Sequence, residues 1–101
     1  MKIVIVKCDG TMTELDWEPR IPLTEYYGDD ITFVGQISSD IVAVGKKNMM
    51  NEKSNTFVER YSDMFEKETR GDILLIGTDV GGNELDLDIE MINKELVNIE
   101  K

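Results

Sequence analysis

Three short runs dominate the hydropathy pattern: Ile3-Val4-Ile5-Val6, Ile41-Val42-Ala43-Val44 and Ile73-Leu74-Leu75-Ile76. Successive side chains of a strand point to opposite faces, so an unbroken apolar run puts apolar surface on both. Branched aliphatic residues of this kind favour strands, and runs this short fit strands better than helices. Three such strands require a sheet that is covered on both sides.

The segments between the runs supply the cover. Asp9-Gly10 is a hairpin turn signal, because Gly10 accepts positive φ. Beyond it, Thr13, Leu15 and Trp17 alternate with Met12, Glu14 and Asp16, so residues 2–17 are expected to form a β-hairpin. Pro19 and Pro22 open a loop, and residues 23–27 make one helical turn that Gly28-Asp29-Asp30 ends. Residues 31–37 read as a third strand, followed by the turn Ser38-Ser39-Asp40. Thr56-Phe57-Val58-Glu59 fits a capping box. Phe57, Val58, Tyr61, Met64 and Phe65 then recur at helical spacing, which predicts a helix over about 56–70 with Arg70 near its negative end and Gly71 as its C-cap. After the third apolar run, Gly77 to Asn83 turns the chain into a short edge strand around Leu85 and Leu87. Asp88 caps a second helix over about 89–100, stapled by Leu87 and Ile92, with Ile89, Ile92, Leu96 and Ile99 toward the core. The expected fold is a single α+β domain over residues 1–101, with a mixed five- to six-stranded sheet and two main helices. The helix-bearing connection before the third apolar run is compatible with parallel pairing.

Charge restricts function more than it defines it. The 101 residues carry 21 Asp and Glu against 11 Lys and Arg, a net charge of −10, and no histidine. Neutralising nucleic-acid phosphates or docking on an anionic membrane needs the opposite sign. Chemistry through histidine is excluded. Cys8 is the one cysteine, which leaves no intrachain disulfide and fits a reducing, cytoplasmic setting. No signal peptide and no membrane-length apolar run is visible. With 41% hydrophobic residues the chain has material for a core, unlike a disordered acidic tail.

The acids are not evenly spread. Residues 9–30 hold seven acids and one base, Arg20; residues 79–90 hold five acids and no base. Residues 46–53 run the other way, with Lys46, Lys47 and Lys53 against one acid. The spacing of a calcium loop is absent, so the acidic groups Asp29-Asp30, Glu14 with Asp16, and Asp86 with Asp88 and Glu90 read first as solvated edges that also deter aggregation. Gly77-Thr78-Asp79-Val80-Gly81-Gly82 lacks the lysine and the following helix of a phosphate loop, and reads as a hairpin turn. Cys8 has no base beside it and Asp9 next to it, so an inert strand-end thiol is expected. Met49-Met50, two flexible apolar side chains among lysines, suit an adaptable contact surface or a tuck into the core. Trp17 reads as core. Tyr26-Tyr27 beside Asp29-Asp30 forms an aromatic and acidic patch.

Two resemblances add to this. MKIVIVKCDGTMTELDWEP, residues 1–19, resembles the opening hairpin of ubiquitin-like β-grasp proteins; the chain ends Ile99-Glu100-Lys101 without Gly-Gly, so conjugation is not implied. The strand-turn-strand opening, the stretch Gly71-Asp72-Ile73-Leu74-Leu75-Ile76-Gly77-Thr78-Asp79 and the acidic Leu87-Asp88-Ile89-Glu90-Met91-Ile92 are similar to a family of small uncharacterised phage and large-DNA-virus proteins, a domain of unknown function. That likeness implies a viral source, a host-cytoplasm setting and an accessory role. It implies no site residues.

The sequence therefore points to a non-enzymatic interaction module, a viral accessory or inhibitor by the second resemblance, whose acidic surface engages a basic protein partner. One form is a nucleic-acid mimic that blocks a nucleic-acid-binding protein. The candidate surface is Asp29, Asp30, Glu84, Asp86 and Asp88, with Tyr26, Tyr27, Met49 and Met50. No catalytic, cofactor or metal residue is assigned, and no oligomeric state is specified. The alternative is a carboxylate-based metal- or small-ligand-dependent enzyme.

Overall fold

The computed structural model describes residues 1–18, 20–27, 30–79 and 81–99, with backbone alone for Tyr26 and Tyr27. The three apolar runs form the three inner strands of one sheet: β1 (Lys2–Val6), β4 (Ile41–Lys46) and β5 (Ile73–Thr78). β2 (Met12–Asp16) and β3 (Ile31–Ser38) flank them in the order β2-β1-β5-β4-β3. A short β6 (Glu84–Leu85) pairs with the far end of β5, at Gly77 and Thr78. A one-turn helix α1 (Leu23–Tyr27), a short helix α2 (Thr56–Arg60), a 3-10 turn (Ser62–Met64) and a longer helix α3 (Ile89–Ile99) complete the α+β fold. The radius of gyration, 12.7 Å, is that of one globule of this length, about 13 Å.

The runs behave as their pattern requires. Val4, Val6, Ala43, Ile73 and Leu75 face one side, where Phe57, Val58, Leu87, Ile92 and Leu96 cover them. Ile3, Leu74 and Ile76 face the other, beneath Trp17 and Leu23. Each fully buried aliphatic side chain contributes roughly 1.5–3 kcal/mol of transfer free energy. Trp17 sits in the core as expected, and its indole Nε1–H donates to the Ile21 carbonyl at 2.9 Å. The Asp9-Gly10 turn closes the first hairpin with Gly10 at φ +88°.

Several expectations change. Every pairing among the described strands is antiparallel, so the sheet is not mixed. The long connection from β4 to β5 starts and finishes at the same end of the sheet, where the Gly71 N–H donates to the Lys53 carbonyl at 2.8 Å. A crossover to the opposite end, which parallel pairing needs, does not occur. The helix expected over 56–70 stops at Arg60, because Tyr61 leaves helical geometry (φ −114°, ψ 39°). The apolar spacing is met differently. Phe57 stacks near Tyr61 and Phe65, with ring centroids at 4.9 and 6.0 Å. Phe65 is extended and bridges to Gly35, and the Glu66 N–H donates to the Val34 carbonyl. The segment thereby shields the β3 edge. Arg70 and Gly71 lie beyond any helix end. The N-cap of α2 is Asn55, not Thr56. Asp88 does cap α3, accepting from the Met91 N–H at 2.8 Å, with Leu87 and Ile92 fully buried around it. Ile99 is exposed rather than in the core.

Candidate interaction surface

The acidic strand β2 and the acidic segment before α3 meet at Lys2. The register sets Lys2 opposite Asp16, and the Lys2 Nζ stands 3.6 Å from Glu14 Oε1. From the other side, the Lys2 backbone N–H donates to Asp86 Oδ1 at 2.9 Å and its carbonyl accepts from the Leu87 N–H at 3.0 Å. Glu14 also reaches across to α3, where Oε2 accepts from the Ile89 N–H at 3.1 Å. Glu14 and Asp88 thus both satisfy backbone donors at the start of that helix, where negative charge is favoured. Glu14, Asp16, Glu84 and Asp86 are all exposed; Lys2 stands beside Glu14, Asp16 and Asp86, and the Met1 ammonium donates to the Trp17 carbonyl at 2.9 Å next to Asp16.

The predicted residues divide between the two ends of the strands. Glu84, Asp86 and Asp88 belong to the patch around Lys2. Asp30 lies at the other end, where its carbonyl accepts from the Lys47 N–H at 2.8 Å and β3 starts opposite Lys46. Asp29 and the side chains of Tyr26 and Tyr27 fall outside the described residues. Met49 packs against the core and its Sδ accepts from the Arg70 N–H, whereas Met50 is exposed. The tuck into the core is thus met by Met49, while Met50 stays on the surface. Lys46 pairs with Glu52 at 2.6 Å. Sequence reading singles out Glu14 with Asp16 as an acidic pair but leaves them out of the candidate surface, since their link to residues 84–88 exists only through the strand order. It missed Lys67 as a companion of the lysine loop, because only the folding of the β4–β5 connection back on itself brings residues 67–70 beside Met49 and Met50.

Other candidates have structural roles. Asp79 accepts from the Gly81 N–H at 2.8 Å, the Asn83 N–H at 2.9 Å and Asn83 Nδ2 at 3.1 Å. These bonds hold its carboxyl below the usual carboxylate value and close the turn between β5 and β6 as a hairpin. Burial raises the pKa of Cys8, and the hydrogen bond and charge of Asp72 and the charge of Glu52 push it further. Among the described residues, no group of three or more Cys, Asp or Glu is placed to hold a metal ion, and no helix is long and apolar enough to cross a membrane. Comparison with protein-family models, with curated proteins and with solved structures finds no match.

Proposed function

We propose that the chain is a non-enzymatic interaction module that engages a basic protein through the patch formed by β2 and residues 84–88. The observation that carries this reading is the meeting of Glu14 and Asp86 on one residue, Lys2, which merges two sequence-distant acidic stretches into one surface. Opposite charge steers association and selects orientation more than it adds affinity. A nucleic-acid-binding protein is one partner class with the required basic face. A patch of several carboxylates in continuous array is what such a face accepts.

The test is capture of a Lys- and Arg-rich peptide by the full chain at about 50 mM and about 500 mM salt, where the screening length falls from roughly 14 Å to below 5 Å. Retention at low salt, loss at high salt, and weaker retention by the Asp16→Asn/Glu84→Gln double variant are expected. Equal retention by that variant would remove the patch from consideration. Asp16 and Glu84 are chosen because Glu14, Asp86 and Asp88 also hold backbone N–H groups.

A further inference from the structure

A second surface is basic in balance, with Lys67 and Arg70 against Glu68. Met49, Met50, Lys67, Glu68 and Arg70 line an open pocket of about 400 Å³. They come from the two ends of the β4–β5 connection, which the Arg70 N–H to Met49 Sδ bond and the Gly71 N–H to Lys53 carbonyl bond hold side by side. Lys47 and Lys53 belong to the same loop. An acidic chain thus gathers several of its 11 cations at one end. Met49 is anchored by the core, while Met50 is 86% exposed at the same pocket.

We propose that this pocket docks a short acidic segment of a partner protein, with an apolar side chain against Met50 and flanking carboxylates on Lys67 and Arg70. An unbranched thioether adapts to many apolar shapes. A guanidinium accepts a carboxylate as a two-pronged partner, and an ammonium adds a point charge. A second copy of the chain is the less suitable occupant, because it brings its own net charge of −10 against this one. A short segment brings only a few charges. The proposal stands apart from the acidic patch and does not depend on it.

The test uses the full chain with labelled methionine methyl groups, titrated with the acetylated peptide Asp-Asp-Leu-Phe-Asp-Asp. One control peptide replaces Leu-Phe by Ser-Ser, and another replaces the acids by Lys. The Met49 and Met50 methyl signals are expected to shift with the first peptide, and affinity to fall about tenfold with either control and in Met50→Ser or Arg70→Glu. Both substitutions sit on exposed side chains, and an unchanged melting midpoint confirms each fold. Unmoved methyl signals, or wild-type affinity in both variants, would overturn the proposal. Equal affinity for the Ser-Ser peptide would also overturn it, by showing charge attraction without docking. So would a dimer-scale scattering mass that Met50→Ser abolishes, since the occupant would then be a second copy.

Discussion

The carboxamide Nδ2 of Asn55 donates to the Gly71 carbonyl at 2.9 Å, from a side chain only 1% exposed. The same nitrogen donates to the Val6 carbonyl at 3.2 Å, and Oδ1 accepts from the Phe57 and Val58 N–H groups at 2.9 and 3.3 Å. One buried side chain thus joins the end of β1, the approach to β5 and the start of α2. Asn55→Ala leaves these backbone groups without partners and is expected to cost about 3 kcal/mol in urea unfolding.

Asn55→Asp makes a sharper prediction. The aspartate keeps the oxygen that caps α2 but points its second oxygen at two carbonyls, which only the protonated form can satisfy. Its folded pKa is therefore raised above the unfolded value of about 3.9. Between those two values the folded state binds more protons, so stability falls as pH rises. Relative to the parent chain, the variant's deficit is smallest near pH 3.5 and grows until pH passes the folded pKa, then levels. A deficit independent of pH in paired urea titrations would show that the carboxylate escapes to water.

Gly35 tests the shielding of the β3 edge. A Cβ there would stand 2.5 Å from the Met64 carbonyl oxygen and 2.7 Å from Phe65 Cδ1. Backbone cannot yield as a flexible side chain can, so Gly35→Ala is expected to destabilise by roughly 2–3 kcal/mol and to loosen the Phe65 segment from the sheet. Gly82→Ala is the reference: φ is +81° but nothing lies within 4 Å, so the conformational cost alone applies, about 1 kcal/mol. Calorimetric melting of the pair should rank Gly35→Ala well below Gly82→Ala.

The contrast between these sites also marks what the sequence could reveal. The three apolar runs encode β1, β4 and β5 because burial on both faces leaves a local signature. Asp88 is legible as a cap because its partner, Met91, is three residues away. Asn55 and Thr56 are adjacent and both favoured N-caps, Asn the somewhat better of the two. What selects Asn55 is the pair of carbonyls at Val6 and Gly71, 49 and 16 residues distant. Likewise Phe57, Tyr61 and Phe65 carry a helical period, but a 3-10 turn and an extended residue satisfy the same ring packing while reaching the β3 edge. The acidic patch was half legible: residues 84–88 alternate visibly, whereas their union with Glu14 depends on strand order.

Asp79 predicts a local acid response. Its pKa lies below the ordinary value because it accepts first from the Asn83 backbone and side chain, and also from the Gly81 backbone. A depressed folded pKa gives stability that is present above the unfolded value and lost as pH falls through the folded one. Amide exchange at Gly81 and Asn83 should therefore accelerate, relative to the intrinsic rate, once pH drops below that range. Asp79→Asn should weaken protection there at neutral pH and flatten the response. An unchanged acid profile in the variant would assign the opening to another carboxylate.

Cys8 predicts chemistry that is slow. Its thiol is raised above the ordinary value by burial, then by the hydrogen bond and charge of Asp72 and the charge of Glu52, with Lys53 opposing. Alkylation proceeds through the thiolate, whose fraction at pH 7.5 is roughly a tenth for an ordinary cysteine and smaller here. Iodoacetamide should modify the folded chain more slowly than the same chain in urea. Asp72→Asn separates charge from access. The asparagine oxygen can still accept the Cys8 N–H, which the aspartate holds at 3.0 Å, while the negative charge is gone. A faster rate in that variant, with its pH profile displaced toward lower pH, identifies electrostatics as the brake. An unaltered rate with an unaltered profile removes the Asp72 charge as the brake and leaves burial and Glu52.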